Sequence, residues 1–295
     1  MKEFLHKSIF LTLILAMVLT ACSTGSRTTS PPASETPVPP TRTPFPPSPT
    51  PVPVAATVNG ERIPMADFQS EVARYKAALD REITDEDREL VVRNMIQLTL
   101  LAQAAGSQGF VISQEDLQER MTRLDREDHP LQDWLAKYGY TEESFQRALD
   151  REVAAAWMRD QIIDRVPRET EQIHAQQILL YEESQAQTVL SELENGTDFA
   201  QLAKEYDPQT RGDLGWFPRG YLTMPELDDT LFALEAGEIS DMIETDIGYH
   251  IVKVLDKEDS RPLEPDVRRV LQKKALHDWL ENQWNSSKIT ISISE

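Results

Sequence analysis

The stretch Gly212-Asp213-Leu214-Gly215-Trp216-Phe217 decides the fold, read with Phe232-Ala233-Leu234-Glu235-Ala236-Gly237-Glu238-Ile239-Ser240 and Thr245-Asp246-Ile247-Gly248-Tyr249-His250-Ile251 downstream. Short β-type runs at Gly215–Phe217, Asp241–Glu244 and Tyr249–Leu255 enclose a helical stretch from Pro225 to Leu234. Working outward, the spacing predicts a strand at Gln172–Leu180. A helix follows with Ala186, Val189, Leu190 and Leu193, ended by Asn195-Gly196, and Asp198 then caps a helix carrying Phe199, Leu202 and Tyr206. Helices interleaved with a small sheet make residues 168–258 an α+β domain.

The flanks have a different texture. Val54 to Val58 is a short β pattern ending in Asn59-Gly60, and Pro64 opens a helix with Met65, Phe68, Val72, Tyr75 and Leu79 on one face. A second helix starts near Thr84, a side chain able to cap the amides ahead of it, and runs to Gly106 and Gly109. Shorter helices follow from Ser113 and around Leu131, and a long one runs from Thr141 to about Ile163, where Pro167 stops the pattern. Residues 55–167 are therefore expected to be helical apart from the opening strand. After Pro262 and Pro265 the helical pattern resumes, and Ile289-Thr290-Ile291-Ser292-Ile293 closes residues 262–295 as a short strand.

The first 54 residues read differently again. Lys2 and Lys7 precede the apolar run Ile9–Leu19, which is short for a membrane span. Residues 1–21 thus read as an export signal, and Leu19-Thr20-Ala21-Cys22 resembles the lipobox of bacterial lipoproteins, where the cysteine is acylated before cleavage. Cys22 is the one cysteine of the sequence, which leaves no internal disulfide, thiolate metal site or cysteine nucleophile. Residues 22–54 form a linker in which 11 of the 23 residues from Pro31 to Pro53 are proline. Such a segment favours extended polyproline II and reaches about 70 Å. It reads as a spacer, with a Pro-rich partner motif as the alternative.

The net charge is −20. Such a chain is a poor ligand for nucleic acid and is repelled by anionic surfaces. The histidines show no HxxxH or HExxH spacing, and no P-loop or GxGxxG occurs, so neither metal nor nucleotide cofactor is expected.

The three blocks around Gly212, Phe232 and His250 resemble the signature of parvulin-type peptidyl-prolyl isomerases. The helical segment with its V-N-G-x-x-I-P-x-x-x-F opening resembles the chaperone region of the PrsA and SurA foldases. The resemblance implies a discontinuous helical lobe, built from N-terminal helices and the C-terminal helix and strand, with the isomerase domain inserted. It implies a proline-ring pocket at Leu214, Phe217, Leu222 and Leu227, with Met224 able to replace one leucine because the Arg219–Phe232 segment is one residue longer than usual. Each of these positions also suits an ordinary core residue.

The implied polar group is His250, with Thr245 five positions before it and Asp207 near the amide. A second histidine is expected by the family motif at position 177, where this chain has Gln177. His174 lies three residues away, so alternation along a strand points it to the opposite face. By itself His250 would read as a structural histidine; its surrounding blocks give it a catalytic role. These features lead to the expectation of a lipid-anchored, extracytoplasmic foldase that isomerises X-Pro bonds in unfolded exported polypeptides without a cofactor. The alternative is a holdase whose parvulin-like domain grips proline segments with little turnover.

Overall fold

The computed structural model describes residues 52–79 and 81–293. The export signal 1–21, Cys22 and all but the last residues of the Pro-rich linker lie outside the described residues.

The chain divides into two compact units, one running up to Ala156 and resuming at Trp284, the other Trp157–Gln283. In the first, β1 (Val54–Val58) and β2 (Glu61–Pro64) form an antiparallel hairpin. Asn59 and Gly60 make its two-residue turn, both at positive φ, which is the backbone an Asn-Gly pair accepts most readily. The expectation of one opening strand missed β2, because Glu61-Arg62-Ile63-Pro64 carries a single buried apolar residue, Ile63.

Helices α1 (Met65–Leu79), α2 (Asp85–Ser107), α3 (Gln114–Arg123), α4 (Leu131–Tyr138) and α5 (Glu142–Ile163) follow. Thr84 caps α2 in a reciprocal capping box with Asp87, and Ser113 caps α3. The core of this unit joins Ala55, Ala56, Val58, Ile63 and Phe68 to Val91, Val92, Met95, Ile96 and Leu100. The chain end returns to it: β7 (Ile289–Ile291) pairs antiparallel with β1, and Trp284 packs against the same core.

The second unit holds an antiparallel sheet in the order β4-β3-β6-β5. Its strands are β3 (Glu169–Leu180), β4 (Asp213–Pro218), β5 (Ile243–Thr245) and β6 (Gly248–Pro262). Helices α6 (Glu183–Glu194) and α7 (Phe199–Tyr206) cover one face, packing Ala186, Val189, Phe199 and Leu202 onto Ile178, Leu180 and Ile251. Helix α8 (Pro225–Ala233) covers the other, packing Leu227, Leu231 and Phe232 onto Ile173, Ala175, Phe217, Val252 and Val254. Strand β6 extends seven residues beyond the expected Leu255, because its polar second half, Asp256 to Pro262, still pairs with β3. Helix α9 (Pro265–Ser286) follows, with Arg268 donating to the Val166 carbonyl at 2.9 Å. The chain is thus an α+β protein with a helical N-terminal unit, to which the chain end returns, and an antiparallel-sheet unit. Among the described residues no helix is long and apolar enough to cross a membrane.

Candidate functional site

The site is built on the α8 face of the sheet. Gln177 on β3 pairs in register with Val252, and His250, two residues along β6, is its diagonal neighbour on the same face. His250 is 0 % exposed. Its Nδ1 lies 3.3 Å from Gln177 Oε1 and its Nε2 lies 2.9 Å from Thr245 Oγ1. Burial lowers the imidazole below its ordinary value, so the neutral ring is favoured. With Oε1 facing Nδ1, the ring proton sits on Nδ1 and Nε2 accepts from the Thr245 hydroxyl. Thr245 also accepts the Ile247 amide at 3.3 Å. Sequence reasoning named all three members, and the fold brings them together directly.

Two glycines stand where the backbone of β3 comes too close for a side chain. Position 212 has no room for a side chain, because a Cβ there would stand 1.9 Å from the Gln177 carbonyl oxygen. The Gly212 carbonyl accepts the Gln177 amide at 2.8 Å. Gly248 is similarly constrained, its Cβ position lying 2.4 Å from the Leu180 carbonyl oxygen.

Asp207 follows α7 and lines a cavity of about 240 Å³ together with Gln177, Leu179, Tyr181, Tyr206 and Gly212. It does not join the His250 network by hydrogen bond. Its carboxylate closes its own loop, accepting the Thr210 hydroxyl, the Gln209 and Thr210 amides at 3.1 Å each, and the Gly212 amide at 3.4 Å. The Thr210 contacts, foremost the hydroxyl, hold the carboxyl below its usual range.

The four expected proline contacts separate into two layers. Phe217 and Leu227, 0 % and 1 % exposed, lie in the core. Leu214 and Leu222 are half-buried above them, and Met224 shares that position. Any ligand meets the upper layer first.

His174 stays out of the site. Both partner strands of β3 have irregular register near it, between Ala175 and Gln176 on the β4 side and between His174 and Ala175 on the β6 side. The extra residues are Leu214 and Leu255, on the partner strands, so β3 keeps its alternation. His174 Nε2 meets Asp213 Oδ1 at 2.8 Å and the ring stacks on Trp216.

Sequence reasoning missed Asp228, a buried carboxylate on α8 whose oxygens accept the Gly220 amide. An acidic residue near a helix N-terminus suggests only favourable dipole placement, so nothing singled it out. A separate feature lies in the first unit: a cavity of about 530 Å³ bordered by Trp134, Tyr138, Tyr140 and Phe145, with Glu71, Arg74 and Glu152 at its edge. The Trp134 and Tyr140 rings stack with centroids 5.5 Å apart, and Glu71 accepts from both Tyr140 and Arg74.

Comparison with known proteins gives two family matches, one after the other along the chain. Residues 1–159 match the SurA-like N-terminal domain and residues 163–258 match the PPIC-type PPIase domain. The foldase protein PrsA of Geobacillus sp. (strain WCH70) is 44 % identical over 95 residues, covering 30 % of this chain and 34 % of that protein. The foldase protein PrsA of Caldanaerobacter subterraneus subsp. tengcongensis is 29 % identical over 231 residues, covering 68 % and 72 %. A solved structure of PrsA from Bacillus cereus superposes with a TM-score of 0.45 at 19 % identity, covering 83 % of this chain and 95 % of that one. The first curated relatives are matched over 33 % to 45 % of their length.

Proposed function

This chain belongs to the PrsA-type foldases, which join a SurA-like N-terminal domain to a parvulin-type domain, and on that premise we propose that it isomerises X-Pro peptide bonds in unfolded exported polypeptides. The observation that carries the reading is the hydrogen-bonded network of the buried His250 with the half-buried Thr245 and Gln177, on the sheet face that also carries the half-buried Leu214, Leu222 and Met224. In this reading the domain boundaries are those of the sequence analysis, with 168–258 as the isomerase. The leader 1–21 is removed and Cys22 carries the lipid that holds the protein outside the cytoplasmic membrane.

The chemistry asks for little. The rotational barrier of roughly 18–20 kcal/mol comes from amide conjugation, and no proton, electron or group is transferred. An apolar wall holds the proline ring. The conjugated amide carries more negative charge on its oxygen than the twisted one does. A carboxylate beside that oxygen, which is the role of Asp207 in this mechanism, therefore disfavours the ground state more than the transition state. The His250 network supplies a rigid polar floor whose dipoles need no reorganisation during the turn. Gln177 donates and accepts hydrogen bonds as a neutral histidine does, so it weakens the site without removing it. Uncatalysed X-Pro exchange takes tens to hundreds of seconds, slow enough to limit folding.

A second reading has its own support. Asp207 has its oxygens occupied by its loop and Gln177 stands where the family has histidine. Those features suit a domain that grips proline segments with little turnover, while the aromatic cavity of the first unit cradles the client.

The test is cis–trans exchange of a short X-Pro peptide followed by NMR, with the mature chain and its His250→Ala and Gln177→His variants. Enhancement by the wild type that disappears in His250→Ala supports the isomerase. No enhancement by the wild type, with a gain in Gln177→His, refutes it in favour of the holdase.

A further inference from the structure

Asp228 is 6 % exposed, and both of its oxygens face one donor, the Gly220 amide, at 2.9 and 3.0 Å. Arg219 stands 4.0 Å away, its guanidinium 4.6 Å from the centre of the Phe232 ring and 3.3 Å from Asp229. Burial raises the carboxyl above its usual range, opposed by the Gly220 amide and Arg219. Taking a carboxylate out of water for one amide and an ion pair stretched to 4.0 Å is a poor source of stability. Its place in the fold gives it another use.

Gly220, at φ +79°, sits in the turn that ends β4, where the Tyr221 amide donates to the Pro218 carbonyl at 3.3 Å. The chain then passes through Leu222 and Met224, half-buried against the Leu227 core, before Pro225 starts α8. Asp228 therefore ties the turn before Leu222 to the helix after Met224. The segment between has no strand pairing to hold it.

We propose that Asp228 is a positioning residue for the ligand pocket: by holding the Gly220 amide it fixes the 220–224 segment so that Leu222 and Met224 form a preset apolar wall for the proline ring. This rests on the X-Pro reading of the site. The role uses an acceptor and not a charge, so asparagine, which keeps one acceptor at the same reach, should fill it, and alanine should not.

The experiment compares the full mature chain with its Asp228→Ala and Asp228→Asn variants. Without ligand, NMR reads hydrogen exchange of the Gly220 amide and the methyl signals of Leu222 and Met224. With a short X-Pro peptide it reads Kd, KM and kcat. Expected for Asp228→Ala are lost Gly220 protection, displaced Leu222 and Met224 methyls, Kd and KM raised about tenfold, and kcat within about threefold of wild type. Asp228→Asn should match wild type in all of these. Should Asp228→Ala fail to fold, Asp228→Ser, whose hydroxyl stops short of the amide, carries the same expectations. Unchanged protection and methyls in Asp228→Ala, or equal impairment of Asp228→Asn, overturns the proposal. A wild type that neither binds nor isomerises the peptide defeats the X-Pro reading instead, and the ligand-free signals still decide whether Asp228 sets the wall.

Discussion

Replacing Gly212 with alanine should damage this protein far more than replacing Gly215, although both glycines have φ +67°. At Gly215 an added Cβ meets nothing within 4 Å, so the cost is the left-handed backbone alone, about 1–2 kcal/mol. At Gly212 the Cβ would stand 1.9 Å from the Gln177 carbonyl oxygen and 3.1 Å from its carbon, both backbone atoms that cannot rotate away. The two chains must part there, which strains the bond from the Gln177 amide to the Gly212 carbonyl at 2.8 Å and the cap from Asp207. Backbone strain, overpacking and the lost hydrogen bond together come to about 3–6 kcal/mol, against a whole-domain stability of roughly 5–15 kcal/mol. Urea titration followed through amide signals of β3 and β4 reads this directly. With a slope of roughly 2 kcal/mol per molar urea and an extra loss of about 3 kcal/mol, the Gly212→Ala midpoint should fall by about 1.5 M more than that of Gly215→Ala. Equal midpoints for the two variants would refute the close approach as the reason for glycine at 212.

Other perturbations address other parts of the chain. Thr84→Ala should cost about 1 kcal/mol by uncapping α2, read by chemical denaturation. The neighbouring Asp87 carboxyl is depressed, first by the Arg81 side chain and then by the Thr84 amide, so its contribution is present above the ordinary carboxylate range and fades as pH falls through the folded value. Thermal unfolding between pH 7 and 3 should therefore show a flatter acid limb in Asp87→Asn than in wild type. Asn59→Ala removes the acceptor for the Lys288 amide at 2.9 Å and should cost about 1–2 kcal/mol. It should speed exchange of the Ser292 amide, which is bonded to the Ala55 carbonyl. Trp134→Ala opens the aromatic cavity of the first unit and should weaken suppression of client aggregation while X-Pro exchange in the same sample holds; equal loss of both would show that the cavity is not a separate client site.

The fold was legible where backbone chemistry is local. Asn59-Gly60, Thr84, Ser113, Asp198 and Pro225 each mark a turn or cap, and each is found where its chemistry predicts. What escaped depends on pairing at a distance. Strand β2 has one buried apolar residue and exists because β1 pairs with it. The polar end of β6, Asp256 to Pro262, is a strand only because β3 extends alongside it. The site shows the same division. His250, Thr245 and Gln177 were readable from the motif blocks and fall into one network. Asp228 was not, since its partner is a backbone amide eight positions away and only the turn at Gly220 brings the two together. Phe217 and Leu227 show the limit of an apolar residue in a motif: the sequence marks Leu214, Phe217, Leu222 and Leu227 as one set, and burial alone separates the two that lie in the core from the two that are half-buried.

The glutamine at position 177 raises a question that the network itself can answer. With Oε1 toward His250, the ring carries its proton on Nδ1 and Thr245 donates to Nε2. Turning the amide over places Nε2–H of Gln177 against Nδ1. The ring proton then moves to Nε2 and donates to Thr245, whose hydroxyl turns to the Gly248 carbonyl 3.2 Å away. The His250 ring nitrogens and the Thr245 hydroxyl are satisfied in both arrangements, and neither involves a charged ring. The imidazolium would be buried with no carboxylate among its hydrogen-bond partners, which is costly. The ring should therefore stay neutral down through the ordinary imidazole range near pH 6.5, because burial depresses its pKa. X-Pro exchange should be flat across the same interval, while the stability held by the neutral ring should fall as pH drops through it, because the unfolded chain's imidazole takes up a proton there and the buried one does not. The ¹⁵N shifts of the two His250 ring nitrogens, followed from pH 8 to 5, measure this. A ring that titrates near 6.5, with exchange changing in step, would show that charge on His250 matters, and then an amide at 177 could not stand in for a second histidine.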